Sequence, residues 1–405
     1  METKARHSTF GKAMTPIRAE HAGSASRTQT SVLGLAERVI KAANREHPAD
    51  GVLRSELRAQ HGLSREAGAQ VSRAVFAYFR WHGWLDKARP IREQIERALV
   101  LAERFATRPD SFSDEELTAH AVPEWLPTVM EAKATWVRAL QTEPRLWLRA
   151  RRGQGRALAA KLGDCRVFGE GPLADILEYR GGSDLFRTRE FHAGEFELQD
   201  ISSQAVGLIC NPRPGEKWWD ACAGEGGKTL HLAELMENRG SIWASDRSQW
   251  RLGKLKRRAA RAGVFNYRAV VWDGRPRPPT KTEFDGVLLD APCSGIGTWQ
   301  RNPHARWTTT AQDVKELSAV QTQLLLNAAA GVKPGGRLVY AACTLAHLET
   351  VVVIKAFEER SPHFERQEVH NPLVPGLPSC EMLLLWPQEA GGNGMCVAAW
   401  ARRTC

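Results

Sequence analysis

The sequence contains 405 residues, of which 42% are hydrophobic and 25% are charged, a balance typical of a globular protein with two or three domains. No apolar run approaches the roughly 18 residues that a membrane-spanning helix needs, and no hydrophobic segment follows the charged start, so we expect neither membrane insertion nor secretion. The net charge of +10 favours a polyanionic partner, although a solvated basic surface would account for it equally well.

The eight cysteines are scattered along the chain and include no Cys-x-x-Cys pair. This spacing indicates neither a zinc ribbon nor a disulfide framework. We therefore expect no bound metal and a reducing, cytoplasmic location, in which individual thiols can be reactive. We also expect a monomer.

The first part of the chain divides into an arm and a helical domain. Residues 1–30 are polar and lack periodicity, which predicts a disordered arm. From residue 31 onward apolar side chains recur at helical spacing, as in Leu33, Ala36 and Ile40. We predict an all-α domain over residues 31–140.

A small α+β subdomain is predicted over residues 141–198. It opens with RLWLRARRGQGRALAAKLG, which is typical of a strand, a glycine-containing turn and a helix. Arginines are dense here, and they either grip RNA phosphates or form a solvated surface. They are Arg145, Arg149, Arg151, Arg152 and Arg156.

Residues 199–405 alternate predicted strands with helices, the pattern of an α/β domain with a mostly parallel sheet covered on both faces. EMLLLWP and MCVAAWAR then predict a closing antiparallel pair. Because ligands of such sheets bind at the carboxyl ends of the strands, we expect the residues at those ends to line one crevice. Four of the five strands end in aspartate: Asp220, Asp246, Asp273 and Asp290.

The loop after the first of these strands is rich in small residues, which let the backbone approach a ligand. It precedes a helix whose N-terminal amides favour an anion. Its order matches neither the dinucleotide fingerprint nor the P-loop, and a tight turn without a ligand would look similar. The loop comprises Cys222, Ala223, Gly224, Glu225, Gly226, Gly227 and Lys228.

Two of the strand-end aspartates complete this site. Asp246, after the second strand, is suited to accept both hydroxyls of a ribose. Asp273, after the third, is suited to accept an adenine amino group, although a cap of the next helix explains each aspartate alone equally well. With the glycine-rich loop, they predict a slot for adenosine.

Two cysteines follow the last two of the five strands. Asp290 and Cys293 lie in DAPCSGIG after the fourth strand, and Cys343 lies in VYAACTLAHLE after the fifth. A single cysteine is most often a buried, small apolar residue. Two at neighbouring strand ends beside an acid predict a reactive cleft instead.

These motifs resemble a known family. DAPCSGIGTWQRNPHARW and VYAACTLAHLE resemble the two catalytic motifs of the RsmB/Nop/Sun family of RNA cytosine-5 methyltransferases, and ACAGEGGKTLHLAE resembles its cofactor loop. The resemblance extends from about Pro144 to the C-terminus. ADGVLRSELRA and AVFAYFRWHGWLD more weakly resemble the NusB-like N-terminal domain of bacterial members.

The resemblance implies a Rossmann-like class I methyltransferase domain over 199–405, preceded by an RNA-binding α+β subdomain over 141–198 and a NusB-like all-α domain. It also implies roles for single residues: Cys343 matches the nucleophile, Cys293 the cysteine that assists product release, and Asp290 the acid beside the target base. The positions that match the S-adenosylmethionine site are Cys222 to Lys228, Asp246, Asp273 and Asp290.

Three residues depart from the family pattern. Glu225 stands where proline is usual, Ala342 precedes the nucleophile where threonine is common, and Thr350 replaces a frequent asparagine. We expect these changes to affect rate or substrate at most, because every group that the chemistry requires is present.

The implied reaction moves a methyl group from S-adenosylmethionine to carbon 5 of an RNA cytosine, through a covalent bond between Cys343 and carbon 6. A stacked base must be unpaired or flipped out to react. We expect 16S ribosomal RNA as the substrate, with transfer RNA as the alternative. Arg301, Arg306 and the basic run 251–261 would hold the RNA backbone, although the run is equally explained as a solvated helix face.

Three other functions stay open. A DNA-type cytosine-5 methyltransferase would use Cys293, in the dipeptide Pro292-Cys293, as its nucleophile and leave Cys343 dispensable. A nucleotide-linked oxidoreductase would explain the sheet but would give neither cysteine loop a function. A non-catalytic RNA-binding factor of ribosome assembly would keep its function when Cys343 is replaced.

Overall fold

The computed structural model describes residues 32–60 and 62–404, so the predicted arm at 1–30 lies outside the described residues. The chain divides into two compact units. One comprises the residues up to 78 together with 85–100, and the other comprises 79–84 and 101–405. The boundary falls within two helices, and each unit is described by itself below.

The first unit is helical. Helices with one apolar stripe form here because each can bury that stripe, and in the third helix the buried Val71, Ala74 and Val75 follow the predicted spacing. The described helices are α1 at residues 32–42, α2 at Ala49–Ala59, α3 at Arg65–Arg80 and α4 at Ile91–Thr107.

The second unit adds two more helices, α5 at Asp114–Ala121 and α6 at Ala134–Gln141. The side chain of Ser113 accepts a hydrogen bond from the Glu116 amide and so caps the start of α5. The predicted helical character of the N-terminal part is thus confirmed, whereas its likeness to NusB and the boundary at 140 stay predictions.

A four-stranded antiparallel sheet follows, in the order β2-β3-β1-β4. The strand, turn and helix predicted for its opening segment are confirmed. Its core is apolar and includes Leu148, Leu158 and Phe196. The elements are β1 at Leu146–Ala150, α7 at Gly155–Leu162, β2 at Cys165–Val167, β3 at Ile176–Tyr179, α8 at Arg189–His192 and β4 at Phe196–Leu198.

The second sheet has eight strands and is mostly parallel, in the order β10-β12-β9-β8-β5-β6-β7, with β11 pairing β12. Strands β5 to β9 pair in parallel, whereas β10, β11 and β12 are antiparallel to their neighbours. The strands are β5 at Lys217–Asp220, β6 at Ser241–Asp246, β7 at Tyr267–Val271, β8 at Phe284–Asp290, β9 at Val332–Ala342, β10 at Phe364–Gln367, β11 at Leu383–Leu385 and β12 at Met395–Arg402.

Helices cover this sheet on both faces because successive strand residues point to opposite sides. Trp218 packs with apolar residues of the ninth, tenth and eleventh helices, and Trp219 packs with those of the thirteenth and fourteenth. The helices are α9 at Ile201–Cys210, α10 at Gly227–Leu235, α11 at Gln249–Ala262, α12 at Pro303–Thr308, α13 at Ala311–Ala329, α14 at Val351–Arg360 and α15 at Pro387–Ala390.

The predicted α/β fold is confirmed, including the five parallel strands and the antiparallel pair β11 and β12. Strand β10 was not predicted. Its sequence Phe-Glu-Arg-Gln is short and polar, and only Phe364 is buried, so the strand exists because β12 offers it a pairing edge.

The predicted RNA contact of Arg306 is wrong. Its side chain is fully buried, and its guanidinium donates to the backbone oxygens of Ala121 at 2.8 Å and Leu140 at 3.1 Å, at the ends of α5 and α6. Such carbonyls have no partner within their own helix. Arg306 therefore joins α12 to two helix ends, while Arg301 from the same motif is exposed.

We expect Arg306→Ala to lower the free energy of unfolding by about 3 kcal/mol or more, since it leaves several buried carbonyls without donors. Arg301→Ala is the matched control and should change it by less than about 0.5 kcal/mol. Chemical denaturation of both variants measures the difference. If Arg306→Ala unfolded with the same free energy as Arg301→Ala and the native protein, Arg306 would not be a structural residue.

The arginine cluster of the small subdomain is also more structural than predicted. Arg149 is buried, donates to Oε1 of Gln199 at 2.7 Å and forms an ion pair with Glu234. Arg151 donates to the carbonyl of Gly194 at 2.8 Å. Arg149 is therefore too buried to contact RNA, and only the exposed arginines of the cluster can bind phosphates.

Candidate active site

The two cysteines of the predicted cleft lie side by side. Cys293 follows β8 and Cys343 follows β9, and because these strands are parallel neighbours their carboxyl ends meet at one edge of the sheet. The two Sγ atoms are 3.0 Å apart, and both residues are half-buried. At this distance one thiol donates a hydrogen bond to the other, so the two groups function as a pair.

The surroundings of Cys293 shift the pKa of its thiol. The hydrogen bond with Cys343, then burial, then the nearby charges of Cys343 and Glu349 raise the pKa of Cys293 well above its usual value. Cys293 is therefore held as a neutral thiol, a state that can donate a proton to a neighbouring thiolate.

A lysine and an aspartate form the next group. Lys228 in the first turn of α10 donates from Nζ to Oδ2 of Asp290 at 2.6 Å, and also to Oγ of Ser203 at 3.3 Å. Burial alone lowers the pKa of Lys228, but the charge of Asp290 and its hydrogen bond outweigh burial, and with the nearby Cys343 they raise the pKa above its usual value. Lys228 is therefore a positive charge beside the thiol pair.

The glycine-rich loop is built by close packing. Gly226 has a φ of +87°, and a Cβ there would lie 2.6 Å from Cγ of Leu255 in α11. Only glycine satisfies both the left-handed backbone and the contact. Helix α10 begins at the next residue, so its free N-terminal amides lie at the carboxyl end of β5.

Asp246 ties this loop to the next strand. Its Oδ2 accepts from the Gly224 amide at 3.0 Å, its Oδ1 accepts from the Ser248 amide at 2.8 Å, and Arg251 lies 3.4 Å away. Ser248, and not Asp246, caps α11. The carboxylate is thus held at the strand end with one lone pair left for a ligand, and a second is occupied only by the long contact with Arg251.

The other predicted residues lie at the same edge but do not all meet. Asp273 follows β7, is exposed and pairs with Arg275 at 2.8 Å, and Glu225 pairs with Lys254 at 2.6 Å. Burial raises the pKa of Asp220, which accepts from Thr229, to about 7.

A known protein family matches the region of the chain that carries this site. A family described as 16S rRNA methyltransferase RsmB/F matches residues 207–401. The chain belongs to the RsmB/Nop/Sun family.

Curated relatives support the family. A probable ribosomal RNA small subunit methyltransferase B of Synechocystis is 44% identical over 172 residues, which cover 41% of this chain and 38% of that protein. A ribosomal RNA small subunit methyltransferase B of Erwinia tasmaniensis is 31% identical over 288 residues, 67% of this chain and 64% of that protein. The chain thus matches between two-fifths and two-thirds of the length of these RsmB/Nop/Sun relatives.

Solved structures share the fold. The crystal structure of PH0851 has a TM-score of 0.76 at 23% identity and covers 91% of this chain and 98% of that one. A methyltransferase homolog from Pyrococcus horikoshii has a TM-score of 0.57 at 27% identity and covers 66% of this chain and 90% of that one. These likenesses agree with the predicted Rossmann-like methyltransferase fold of the RsmB/Nop/Sun domain.

Sequence reasoning missed one part of this RsmB/Nop/Sun site, a buried polar cluster behind the two cysteines that centres on Glu349. The signal was a single carboxylate in the apolar stretch VYAACTLAHLETVVVIKAF. An acid in such a setting is rarely buried without partners.

Within the described residues, no group of metal-ligating side chains is large enough to hold a metal, and no helix could span a membrane.

Proposed function

We propose that this chain transfers a methyl group from S-adenosylmethionine to carbon 5 of a cytosine in RNA, with Cys343 as the covalent nucleophile. The observation that carries the proposal is the pair of thiols, 3.0 Å apart, with the Lys228–Asp290 ion pair beside them. The glycine-rich loop lacks the order of the dinucleotide fingerprint, which disfavours a nucleotide-linked oxidoreductase.

The glycine-rich loop and Asp246 fit S-adenosylmethionine. The loop lies beside the N-terminus of α10, where amides attract a carboxylate, and Asp246 offers a buried acceptor for ribose hydroxyls. When bound there, S-adenosylmethionine supplies an electrophilic methyl group. Asp273 would accept from the adenine amino group only after turning from Arg275.

The chain's own residues prepare the base for this transfer. Carbon 5 of cytosine becomes nucleophilic when the Cys343 thiolate adds to carbon 6, forming a carbon–sulfur bond. The added electron density moves toward ring N3, where the positive charge of Lys228 stabilises it. Because Lys228 donates to Asp290, the aspartate is the acceptor of the pair, suited to the amino group on carbon 4. In this arrangement Asp290 keeps the place beside the target base that the family resemblance implies, and Lys228 makes the contact with N3.

The second thiol serves the release step. After methylation, carbon 5 carries both a methyl group and a proton. Loss of that proton to a base and departure of the Cys343 sulfur restore the aromatic ring. Cys293, held as a neutral thiol beside Cys343, donates its proton in a hydrogen bond to the departing Cys343 sulfur while the carbon 5 proton leaves to water, and it thereby assists release as the family resemblance implies.

We propose ribosomal small-subunit RNA as the substrate, because the relatives carry that name, with transfer RNA as the alternative. Bisulfite sequencing of RNA from cells with and without the gene tests this. We expect one or a few cytosines to lose protection when the gene is deleted. Unchanged protection throughout the RNA would reject the function.

Asp246→Ala should weaken S-adenosylmethionine binding about tenfold to a hundredfold, because a hydrogen bond to a charged group is worth roughly 1.5–3 kcal/mol. Isothermal calorimetry measures the affinity. Asp285→Ala, on the same sheet but at the opposite end of β8, is the control and should bind normally. Normal affinity in Asp246→Ala would reject the assigned site.

A further inference from the structure

Glu349 lies buried behind both cysteine loops and is not used by the mechanism above. It precedes α14, and none of its side chain is exposed. Its carboxylate accepts from the Ser294 amide at 2.8 Å, Nε2 of Gln321 at 2.9 Å and Oγ1 of Thr344 at 2.7 Å, and also from the Ser294 hydroxyl. A buried charge with this many donors is fully satisfied.

The donors belong to the two loops that carry the thiols. Ser294 follows Cys293, and Thr344 follows Cys343, so one carboxylate holds the residue after each cysteine. The two hydroxyls also lie 3.2 Å from each other. The Glu349 carboxylate therefore links the two loops through their side chains, beside the backbone hydrogen bond that the Gly297 amide donates to the Cys343 carbonyl at 3.1 Å.

Helix α13 and strand β9 hold the carboxylate itself. Gln321 of α13 is fully buried and donates both to Glu349 and to the carbonyl of Pro292, at 2.9 Å each. The hydroxyl of Tyr340 in β9 donates to the Glu349 carbonyl at 2.8 Å. The cluster thus connects the thiol loops to regular elements of the fold.

We propose that Glu349 is a positioning residue that keeps the Cys293 and Cys343 loops at the spacing needed for the thiols to function as a pair. This inference rests on the proposed methyl transfer only for its effect on rate. The positioning itself is a property of the free protein and can be measured without RNA.

The charge of Glu349 has a second consequence. After the Cys343 hydrogen bond, burial and the charge of Cys343, it further raises the pKa of Cys293. The other titratable groups facing the thiols are Tyr340, whose pKa burial raises, and Lys228 with Asp290 on the side of Cys343. Removal of the negative charge should therefore lower the pKa of Cys293 and make it ionise at lower pH.

Two substitutions separate geometry from charge. Glu349→Gln keeps an acceptor for the Ser294 amide and Gln321, and its amide can donate to the two hydroxyls, so the spacing survives without the charge. Glu349→Ala removes both. Glu359→Gln, exposed on α14, is the control.

The closing experiment has two readouts on the free protein. Phenylarsine oxide bridges two neighbouring thiols, and mass spectrometry of the intact protein detects the bridge. Alkylation by iodoacetamide at a series of pH values, read at the Cys293 peptide, reports ionisation. Methylation kcat is measured in parallel, with Cys343→Ser as the variant that cannot be bridged.

We expect Glu349→Ala to lose the arsenic bridge and to reduce kcat about a hundredfold, the scale of a misplacement of about 1 Å. Glu349→Gln should keep the bridge, retain kcat within about tenfold, and alkylate Cys293 at lower pH than the native protein does. A bridge that survives in a folded Glu349→Ala would overturn the proposal. If Glu349→Ala does not fold, Glu349→Asp takes its place, because its carboxylate is one methylene too short to bind both loops, and an arsenic bridge that survives in it would overturn the proposal. Should the native protein methylate no RNA, these two readouts still decide the role of Glu349.

Discussion

Cys343→Ala should abolish methyl transfer and every covalent bond between protein and RNA. No other group in the proposed mechanism adds to carbon 6 of the base, and without that addition carbon 5 is too weak a nucleophile. The measurement is a denaturing gel of protein incubated with labelled RNA and S-adenosylmethionine, together with a methylation assay. We expect activity to fall by more than about a thousandfold.

Cys293→Ala should give the opposite gel result. The first bond still forms, but the methylated adduct does not collapse, so a slow-migrating protein–RNA band accumulates when the methyl donor is present. Cys380→Ala, a half-buried cysteine near β11, is the control and should behave as the native protein. A band that persists in Cys343→Ala and is missing in Cys293→Ala would assign the nucleophile to Cys293, as in a DNA-type enzyme.

Lys228→Met should lower kcat about a hundredfold to a thousandfold, the usual cost of losing one preorganised donor to a developing negative charge. The variant also leaves Asp290 without its partner 2.6 Å away. Lys228→Arg keeps the charge and should recover part of the rate. Steady-state methylation kinetics with saturating RNA measure the effect.

Affinity for S-adenosylmethionine distinguishes the two roles of Lys228. The sequence places it in the cofactor loop, whereas its contacts direct it to Asp290 and the thiols. We expect Lys228→Met to bind S-adenosylmethionine within about threefold of the native protein, since the loop backbone is unchanged. Lys315→Met, exposed on α13, controls for the loss of a charge. A large loss of affinity with normal kcat would return Lys228 to the cofactor site.

Much of the fold could be predicted from sequence because its strands are apolar, short and bounded by glycine or aspartate. β5 and β8 occur where the alternation of apolar runs and acidic loops predicts them. Strand β10 lacks such a pattern, since its pairing with β12 and not its composition holds it in place.

The site could be predicted only in part. Strand ends identify Cys293 and Cys343 because parallel topology brings neighbouring ends together. Which partner each polar residue takes depends on side chains far apart in sequence, so the Lys228–Asp290 pair, 62 positions apart, was not predicted. Arg306 shows the same limit, because composition does not distinguish a solvated arginine from one that binds buried helix ends.

The most direct test of methyl transfer to cytosine is the product itself. Purified protein is incubated with unmodified small-subunit ribosomal RNA and S-adenosylmethionine, the RNA is digested to nucleosides, and 5-methylcytidine is quantified by mass spectrometry. We expect 5-methylcytidine with the native protein and none with Cys343→Ala. Absence of 5-methylcytidine from the native reaction while RNA and S-adenosylmethionine both bind, or equal amounts with Cys343→Ala, would contradict this expectation.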